Sequence, residues 1–302
     1  MDNSQLDQLT LQTTADGSQT FWSSTFGEAF HSNFGAKQEA EAKFIAPTHL
    51  LQQAQYKKQF RQPVRVLDVC YGLGYNSAAA MEVCTAVGTD LEIIGLEWNP
   101  DVPRQVIQQD LHRIWSVPVQ NCLTVLADAQ QIELVTDGGG TITGKLIIGD
   151  ARQTIQAVPL GWADAIFLDP FSPPRCPQLW TVEFLTALGM RLSPTGYLAT
   201  YSCAGAVRSA LQQAGLQIGS VAAVGRKSPS TVAAWQRDSV HYGALPSLSL
   251  AESGLLKTRA GVAYRDLTGA DTAATIIARR QAAQKEADLP SSSSCRKDLG
   301  WN

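Results

Sequence analysis

Between Pro63 and residue 235, short blocks of consecutive apolar residues alternate with longer stretches in which apolar positions recur every three or four residues. Unbroken short blocks read as strands buried on both faces, and the longer recurrence reads as helices covering them. Strands are predicted at 64–69, 91–96, 165–168 and 197–201. Helices are predicted from Tyr75 through about Thr85 and at 102–114, 179–191 and 205–214. A hairpin is predicted from 132–135 and 145–148, its turn marked by Asp137, Gly138, Gly139 and Gly140. Closing strands follow at 217–224 and 231–235. Strand and helix in alternation predict an α/β fold with a doubly wound, mainly parallel sheet.

The flanks carry weaker patterns. Residues 1–20 are polar, rich in Gln, Asp and Thr, and predict a flexible lead or an edge segment, while residues 30–51 are helix-friendly. One domain is expected over 21–236. It is followed by an extension over 237–289 with one helix at 272–287, and by a serine-rich tail over 290–302 expected to be disordered.

A hydrophobic fraction of 44% in 302 residues, with 17% charged, supplies a sizeable core and excludes a wholly disordered or collagen-like chain. No apolar run approaches the roughly 20 residues that span a bilayer, and no basic segment leads into an apolar one at the start. A soluble, cytoplasmic protein with no membrane partner is expected. The six cysteines lie at wide, irregular spacings without a CxxC pair, so neither a disulfide framework nor a metal site is expected. The net charge of −3 argues against a nucleic-acid partner until it is divided. Residues 1–169 carry 10 basic against 19 acidic side chains, and residues 170–302 carry 14 against 8. An acidic half therefore ends at Asp169 and a basic half follows.

Two segments carry candidate chemistry. In the first, the strand ending at Val69 feeds Cys70-Tyr71-Gly72-Leu73-Gly74-Tyr75-Asn76, a glycine turn that opens a helix. Ligands bind at such strand ends because glycines let the backbone approach them closely. Glu97 stands 23 residues past Gly74, at the end of the next strand, where an acid can bind a ribose hydroxyl pair. A nicotinamide enzyme would use the same acid, but Ser77 stands where its fingerprint needs a third glycine. The acidic lead of Asp68 also suits a ligand without phosphate, which points to S-adenosylmethionine; a glycine turn with no ligand is the bland alternative. Asp150, after the strand ending at 148, can bond an adenine amino group, cap the following helix, or do both.

The second segment begins at Asp169 and holds prolines at 170, 173, 174 and 177, which stiffen a loop at the same edge of the sheet. Asp169 can accept a hydrogen bond from an incoming amine and aim its lone pair at a methyl group. Its alternative role is to brace the loop. Phe171 and Trp180 are candidates for stacking on a base; Phe171 is the better one, since a tryptophan opening an amphipathic helix is more often a core residue. His31 can line the pocket or serve as a satisfied structural residue.

Together these segments resemble the methyltransferase domain of the MnmC family. The resemblance runs from His31-Ser32-Asn33-Phe34-Gly35-Ala36 and Glu39 through Leu67-Asp68, Gly72-x-Gly74-x-Asn76 and Asp169-x-Phe171-Ser172-Pro173 to Pro177-x-Leu179-Trp180-Thr181. It continues in 198–202, in Ala204-Gly205-x-Val207-Arg208 and in Gly225-Arg226-Lys227, covering about 200 residues. Cys70 departs from the family's first motif glycine, Arg175-Cys176 from its Lys-Asn pair, and the segment after Lys227 from its pattern.

The resemblance implies a Rossmann-like class I S-adenosylmethionine-dependent methyltransferase. Its expected reaction is methylation of the exocyclic amine of 5-aminomethyl-2-thiouridine at the tRNA wobble position. Asp68, Gly72, Gly74, Asn76, Glu97 and Asp150 are expected to hold the cofactor and Asp169 to orient the amine. Arg175, Arg208, Arg226 and Lys227 would meet tRNA phosphates. Family members often add a flavin oxidase domain, but this chain shows no second glycine fingerprint, so a stand-alone methyltransferase is expected. Two other readings remain open: a methyl- or aminopropyl-transferase acting on a small polyamine-like amine, and a non-catalytic RNA-binding protein that keeps the fold.

Overall fold

The computed structural model describes residues 7–15, 17–31, 35–223, 228–235 and 242–294. Its first elements are the strands β1 (Leu9–Thr13), β2 (Gln19–Ser23) and β3 (Glu28–Ala29), which form a small antiparallel sheet. The polar N-terminal segment is thus an edge strand from Leu9 onward rather than a free lead. Phe21 of β2 is fully buried, which anchors the sheet to the main core.

Among the described residues the main sheet has eight strands: β4 (Val64–Val69), β5 (Leu91–Glu97), β6 (Gln131–Val135), β7 (Thr141–Ile148), β8 (Ala163–Leu168), β9 (Leu192–Thr200), β10 (Leu216–Val221) and β11 (Ser230–Trp235). They lie in the order β10-β11-β9-β8-β4-β5-β7-β6. The central pairs β9–β8, β8–β4, β4–β5 and β5–β7 are parallel; β6, β11 and β10 run antiparallel to their neighbours. After β4 the chain builds outward through β5 to one edge, then returns to place β8 on the other side of β4. That reversal opens a crevice beyond the carboxyl ends of β4, β5 and β8.

Alternation along β4 explains its unbroken apolar run. Val64 and Val66 join the layer that contains the helices Tyr75–Val87 and Val117–Ala129, whereas Leu67 and Val69 join the layer containing Val182–Gly189 and Gly205–Gln213. The expected hairpin is β6–β7, its turn closed by Thr136 N–H donating to Gly140 O at 2.8 Å.

Several predicted bounds shift. The segment predicted as a helix at 102–114 is the helix Asp101–Gln108 followed by a short 3-10 turn, Leu111–Ile114. The helix Val117–Ala129 was not anticipated: Pro118 reads as a breaker, yet at the first turn it has no hydrogen bond to lose. In place of the helix predicted at 179–191 stand a 3-10 turn, Pro177–Trp180, and a helix over Val182–Gly189, with Thr181 Oγ1 accepting the Phe184 N–H as its cap.

Among the described residues after 236 there are two α-helices instead of one. Leu250–Leu256 opens with a capping box between Ser249 and Glu252, and Ala273–Glu286 matches the predicted helix to within a residue at each end. This segment packs into the domain core through Tyr264 and Ile276, and Thr181 pairs with Tyr264 in an isolated bridge. Pro290, placed in the expected disordered tail, accepts a backbone hydrogen bond from Arg259 at 3.0 Å. Residues 295–302 lie outside the described residues.

Candidate active site

A cleft of about 910 Å³ lies at the carboxyl ends of the central strands. Gly72, Asn76, Glu97, Asp150, Asp169 and Phe171 all line it, so residues nearly 100 positions apart converge where the sequence places them. The chain leaves β4 through Cys70, Gly72 and Gly74 at φ of +66°, +54° and +76°, the left-handed region. Cys70 takes that conformation despite its Cβ, at a cost of about 1–2 kcal/mol, and its turn is held by Cys70 and Tyr71 N–H groups donating to Leu96 O, both at 3.0 Å. Burial raises the Cys70 thiol well above its ordinary value, so the group stays neutral.

Glu97 is built into this turn. Its Oε2 accepts the Gly72 N–H at 2.7 Å and its Oε1 accepts the Asn99 N–H at 2.8 Å. Burial pushes its carboxyl up, and the backbone donors of Asn99, Gly72 and Trp98 oppose that shift. One hydrogen bond to each oxygen leaves lone pairs for a hydroxyl-bearing ligand. Asp150 caps the short helix Ala151–Thr154 through the Arg152 N–H at 3.0 Å and also faces the cleft, so both roles expected of it are structurally compatible.

Two of the expected cofactor residues do not reach the cleft wall. Asp68 is fully buried beneath the turn and accepts a hydrogen bond from Ser77 Oγ at 2.6 Å; among the described residues its other oxygen has no partner. Its carboxylate lies on the side of β4 covered by the helices Tyr75–Val87 and Val117–Ala129, where alternation puts it with Val64 and Val66. Gly74 is required by packing, because a Cβ there would lie 2.5 Å from the Tyr71 hydroxyl. Asn76 lines the cleft, but its amide donates to Asp169 Oδ2 at 2.9 Å. It therefore serves the second segment as well as the first.

The proline loop is pinned from three sides. Trp180 Nε1 donates to Phe171 O at 2.9 Å, the Tyr201 hydroxyl donates to Pro170 O at 2.9 Å, and Glu28 of β3 accepts both the Ser172 N–H, at 2.9 Å, and its hydroxyl. Trp180 is completely buried, which corrects its candidacy for stacking on a base: it supports the loop from the core. Phe171 stacks on Phe26 with ring centroids 4.2 Å apart and meets Phe30 edge-on at 5.0 Å. The N-terminal sheet thus roofs the loop.

Arg208 requires a second correction. It is 2% exposed, donating to Thr231 Oγ1 at 2.9 Å, to Glu252 Oε1 at 2.8 Å and to Ser230 O at 3.2 Å, so it is a buried strut and not a phosphate contact. Arg175 is exposed beside Gly27 at the cleft's rim. Arg226 and Lys227 lie outside the described residues. His31 lines the cleft and is also a satisfied histidine: Nδ1 meets Thr20 Oγ1 at 3.2 Å and the ring stacks on Tyr75.

One pair in the cleft wall escapes the sequence reading. Lys43 and Glu39 form a buried ion pair at 2.8 Å, on a helix that widens into a π-turn over Glu41–Ile45. Their spacing of four is visible in the sequence, but solvated pairs share it. No group of three or more His, Cys, Asp or Glu among the described residues is arranged to hold a metal, and no helix among them is long and apolar enough to cross a membrane.

The donor set suits S-adenosylmethionine. Glu97 and Asp150 present acceptors to the ribose hydroxyls and the adenine amino group of that cofactor. Comparison with known proteins agrees. Residues 109–236 match a family described as S-adenosyl-L-methionine-dependent methyltransferase. An uncharacterized protein of Methanocaldococcus jannaschii, MJ0670, is 32% identical over 232 residues, covering 75% of this chain and 60% of that protein. The tRNA 5-methylaminomethyl-2-thiouridine biosynthesis bifunctional protein MnmC of Aromatoleum aromaticum is 30% identical over 220 residues, 70% of this chain. This chain covers 33% of that MnmC protein. The crystal structure of MnmC2 from Aquifex aeolicus superposes with a TM-score of 0.77 at 29% identity, covering 94% of this chain and 88% of that one. The chain is homologous to the methyltransferase region of the MnmC proteins and has the fold of the S-adenosylmethionine-dependent methyltransferases.

Proposed function

We propose that this protein methylates the exocyclic amine of 5-aminomethyl-(2-thio)uridine at the wobble position of tRNA. The observation that carries the proposal is Asp169, set at the end of β8 on a loop pinned by Trp180, Tyr201 and Glu28, with its carboxylate fixed by Asn76 and facing the cleft that Glu97 and Asp150 line. The similarity to MnmC proteins of tRNA 5-methylaminomethyl-2-thiouridine biosynthesis supports this substrate class.

In this reading Glu97 accepts the ribose hydroxyls of the cofactor, Asp150 its adenine amino group, and Gly72 lets the backbone approach. S-Adenosylmethionine supplies, when bound, an electrophilic methyl group on a sulfonium. Asp169 accepts a hydrogen bond from the neutral substrate amine and directs its lone pair into the cleft; positioning of this kind supplies much of the rate of a methyl transfer. The proton released from nitrogen passes to Asp169 or to solvent. Phe171 borders the space for the uracil ring, while Arg175 at the rim, with Arg226 and Lys227, meets the tRNA backbone. Cytoplasmic location follows from a tRNA substrate.

The test is competitive labelling. Methyl-labelled S-adenosylmethionine is offered with bulk tRNA and with polyamines, and label entering tRNA in a salt-sensitive manner is expected. Label entering only the polyamines would replace this substrate class with the small-amine one, and no transfer to either would favour a non-catalytic fold.

A further inference from the structure

Asp150 is held from across the domain by the C-terminal segment. Arg152 Nη2 donates to Asp150 Oδ2 at 2.6 Å, and its Nε reaches both carboxylate oxygens at 3.1 and 3.2 Å. The other end of the same guanidinium, Nη1, donates to Asp266 Oδ2 at 2.8 Å and to Asp271 O at 3.0 Å. Asp266 is 114 residues away in sequence and only 2% exposed. Its second oxygen accepts the N–H groups of Gly269 at 2.9 Å and Asp271 at 3.2 Å, and Asp271 is tied to Arg279 of the last helix at 2.8 Å.

The planarity of the guanidinium turns these contacts into a lever. With Nη1 fixed by a buried carboxylate and a carbonyl, the plane of the fork is set, and that plane dictates where the oxygens of Asp150 sit. An exposed Arg–Asp pair would be loose and of little energetic consequence. Here the Arg152 side chain is 11% exposed and that of Asp266 1%, so water cannot take the place of Asp266.

We propose that Asp266 is a positioning residue for cofactor binding, orienting the Asp150 carboxylate through Arg152 and so making the C-terminal segment part of the cofactor site. The proposal rests on the reading that Asp150 faces the adenine of S-adenosylmethionine. A carboxylate left to swing would still cap its helix, but it would meet the adenine amino group in a fraction of its orientations.

The test uses the full chain and two readouts: calorimetric affinity for S-adenosylhomocysteine, and the separate KM and kcat for S-adenosylmethionine. Asp266→Asn, close in shape but uncharged, is expected to weaken S-adenosylhomocysteine about tenfold and to raise KM by a similar factor, with kcat at saturating cofactor retained. Arg152→Lys keeps the charge without the fork and is expected to do the same, which preserves the test if Asp266→Asn does not fold. The double variant is expected to bind no more weakly than the weaker single one, because both break one linkage. Wild-type affinity in Asp266→Asn and Arg152→Lys, alongside weakened binding in Asp150→Ala, would overturn the proposal, as would a loss of thermal stability with affinity intact. Wild-type affinity in Asp150→Ala would instead remove the adenine reading, and the proposal with it.

Discussion

Asn76 Nδ2 donates to Asp169 Oδ2 at 2.9 Å, tying the helix after the glycine turn to the end of β8. This contact joins the two segments that carry the chemistry, so the carboxylate proposed to meet the substrate is aimed by the turn proposed to meet the cofactor. Asn76→Ala is expected to lower kcat by roughly 10- to 100-fold, the worth of one hydrogen bond to a charged group. Affinity for S-adenosylhomocysteine should change little. Steady-state kinetics with calorimetry check the split, and an equal loss in both would return Asn76 to the cofactor alone.

Gly74 tests packing rather than ligand contact. A Cβ there would lie 2.5 Å from the Tyr71 hydroxyl, at a φ of +76°. Gly74→Ala is expected to destabilise the fold by about 2 kcal/mol or more, read as a lower urea midpoint without cofactor. An unchanged midpoint would show that Tyr71 moves aside freely.

Glu97 combines both functions, because its oxygens satisfy the Gly72 and Asn99 N–H groups while facing the cleft. Glu97→Ala is expected to weaken S-adenosylhomocysteine binding by about tenfold or more and to destabilise the apoprotein, since two backbone donors lose their acceptor. Calorimetry and thermal unfolding measure the two effects. Retained affinity would take Glu97 out of the cofactor site.

Asp68 gives a pH signature. Burial pushes its carboxyl up to about 8 against the Ser77 hydrogen bond, with the charges of Asp169 and Glu97 adding to the rise. In the unfolded chain the group ionises near its ordinary 3.8, so between pH 4 and 8 the folded state holds the extra proton. Its contribution to stability is therefore greatest below pH 4 and falls as pH rises through that window, at up to about 1.4 kcal/mol per pH unit. Asp68→Asn is expected to flatten the decline seen in urea unfolding between pH 5.5 and 8. Glu97, also raised by burial, keeps a residual slope. An unaltered slope would show that Asp68 is ionised throughout.

The candidate site was legible because strand ends and glycine turns are local. Val64–Val69 followed by Gly72 and Gly74, Glu97 at the end of β5, and Asp169 after β8 each follow from a few neighbouring residues, and the parallel topology gathers them in one cleft. What escaped the sequence depends on partners far along the chain. Arg208 reads as a surface cation, and only Glu252, 44 residues on, with Thr231 reveals it as a buried strut. Trp180 is equally ambiguous until the carbonyl of Phe171 captures its indole. Nothing near Asp150 announces Asp266, and the charge division that suggested a basic RNA-facing half counts Arg208, Arg279 and Arg280, all committed to internal partners. The division keeps its sign, but fewer of its charges are available to phosphate than the count implies.

In the proposed reaction the amine of a modified wobble uridine is the acceptor held by Asp169. This assignment is tested most directly by nucleoside mass spectrometry of tRNA from a strain lacking this protein, after incubation with S-adenosylmethionine and either wild-type protein or Asp169→Ala. Conversion of 5-aminomethyl-(2-thio)uridine to its 5-methylaminomethyl form is expected with the wild type, and none with the variant despite near-normal cofactor affinity. An untouched wobble nucleoside with wild-type protein, or equal conversion by Asp169→Ala, would contradict the assignment.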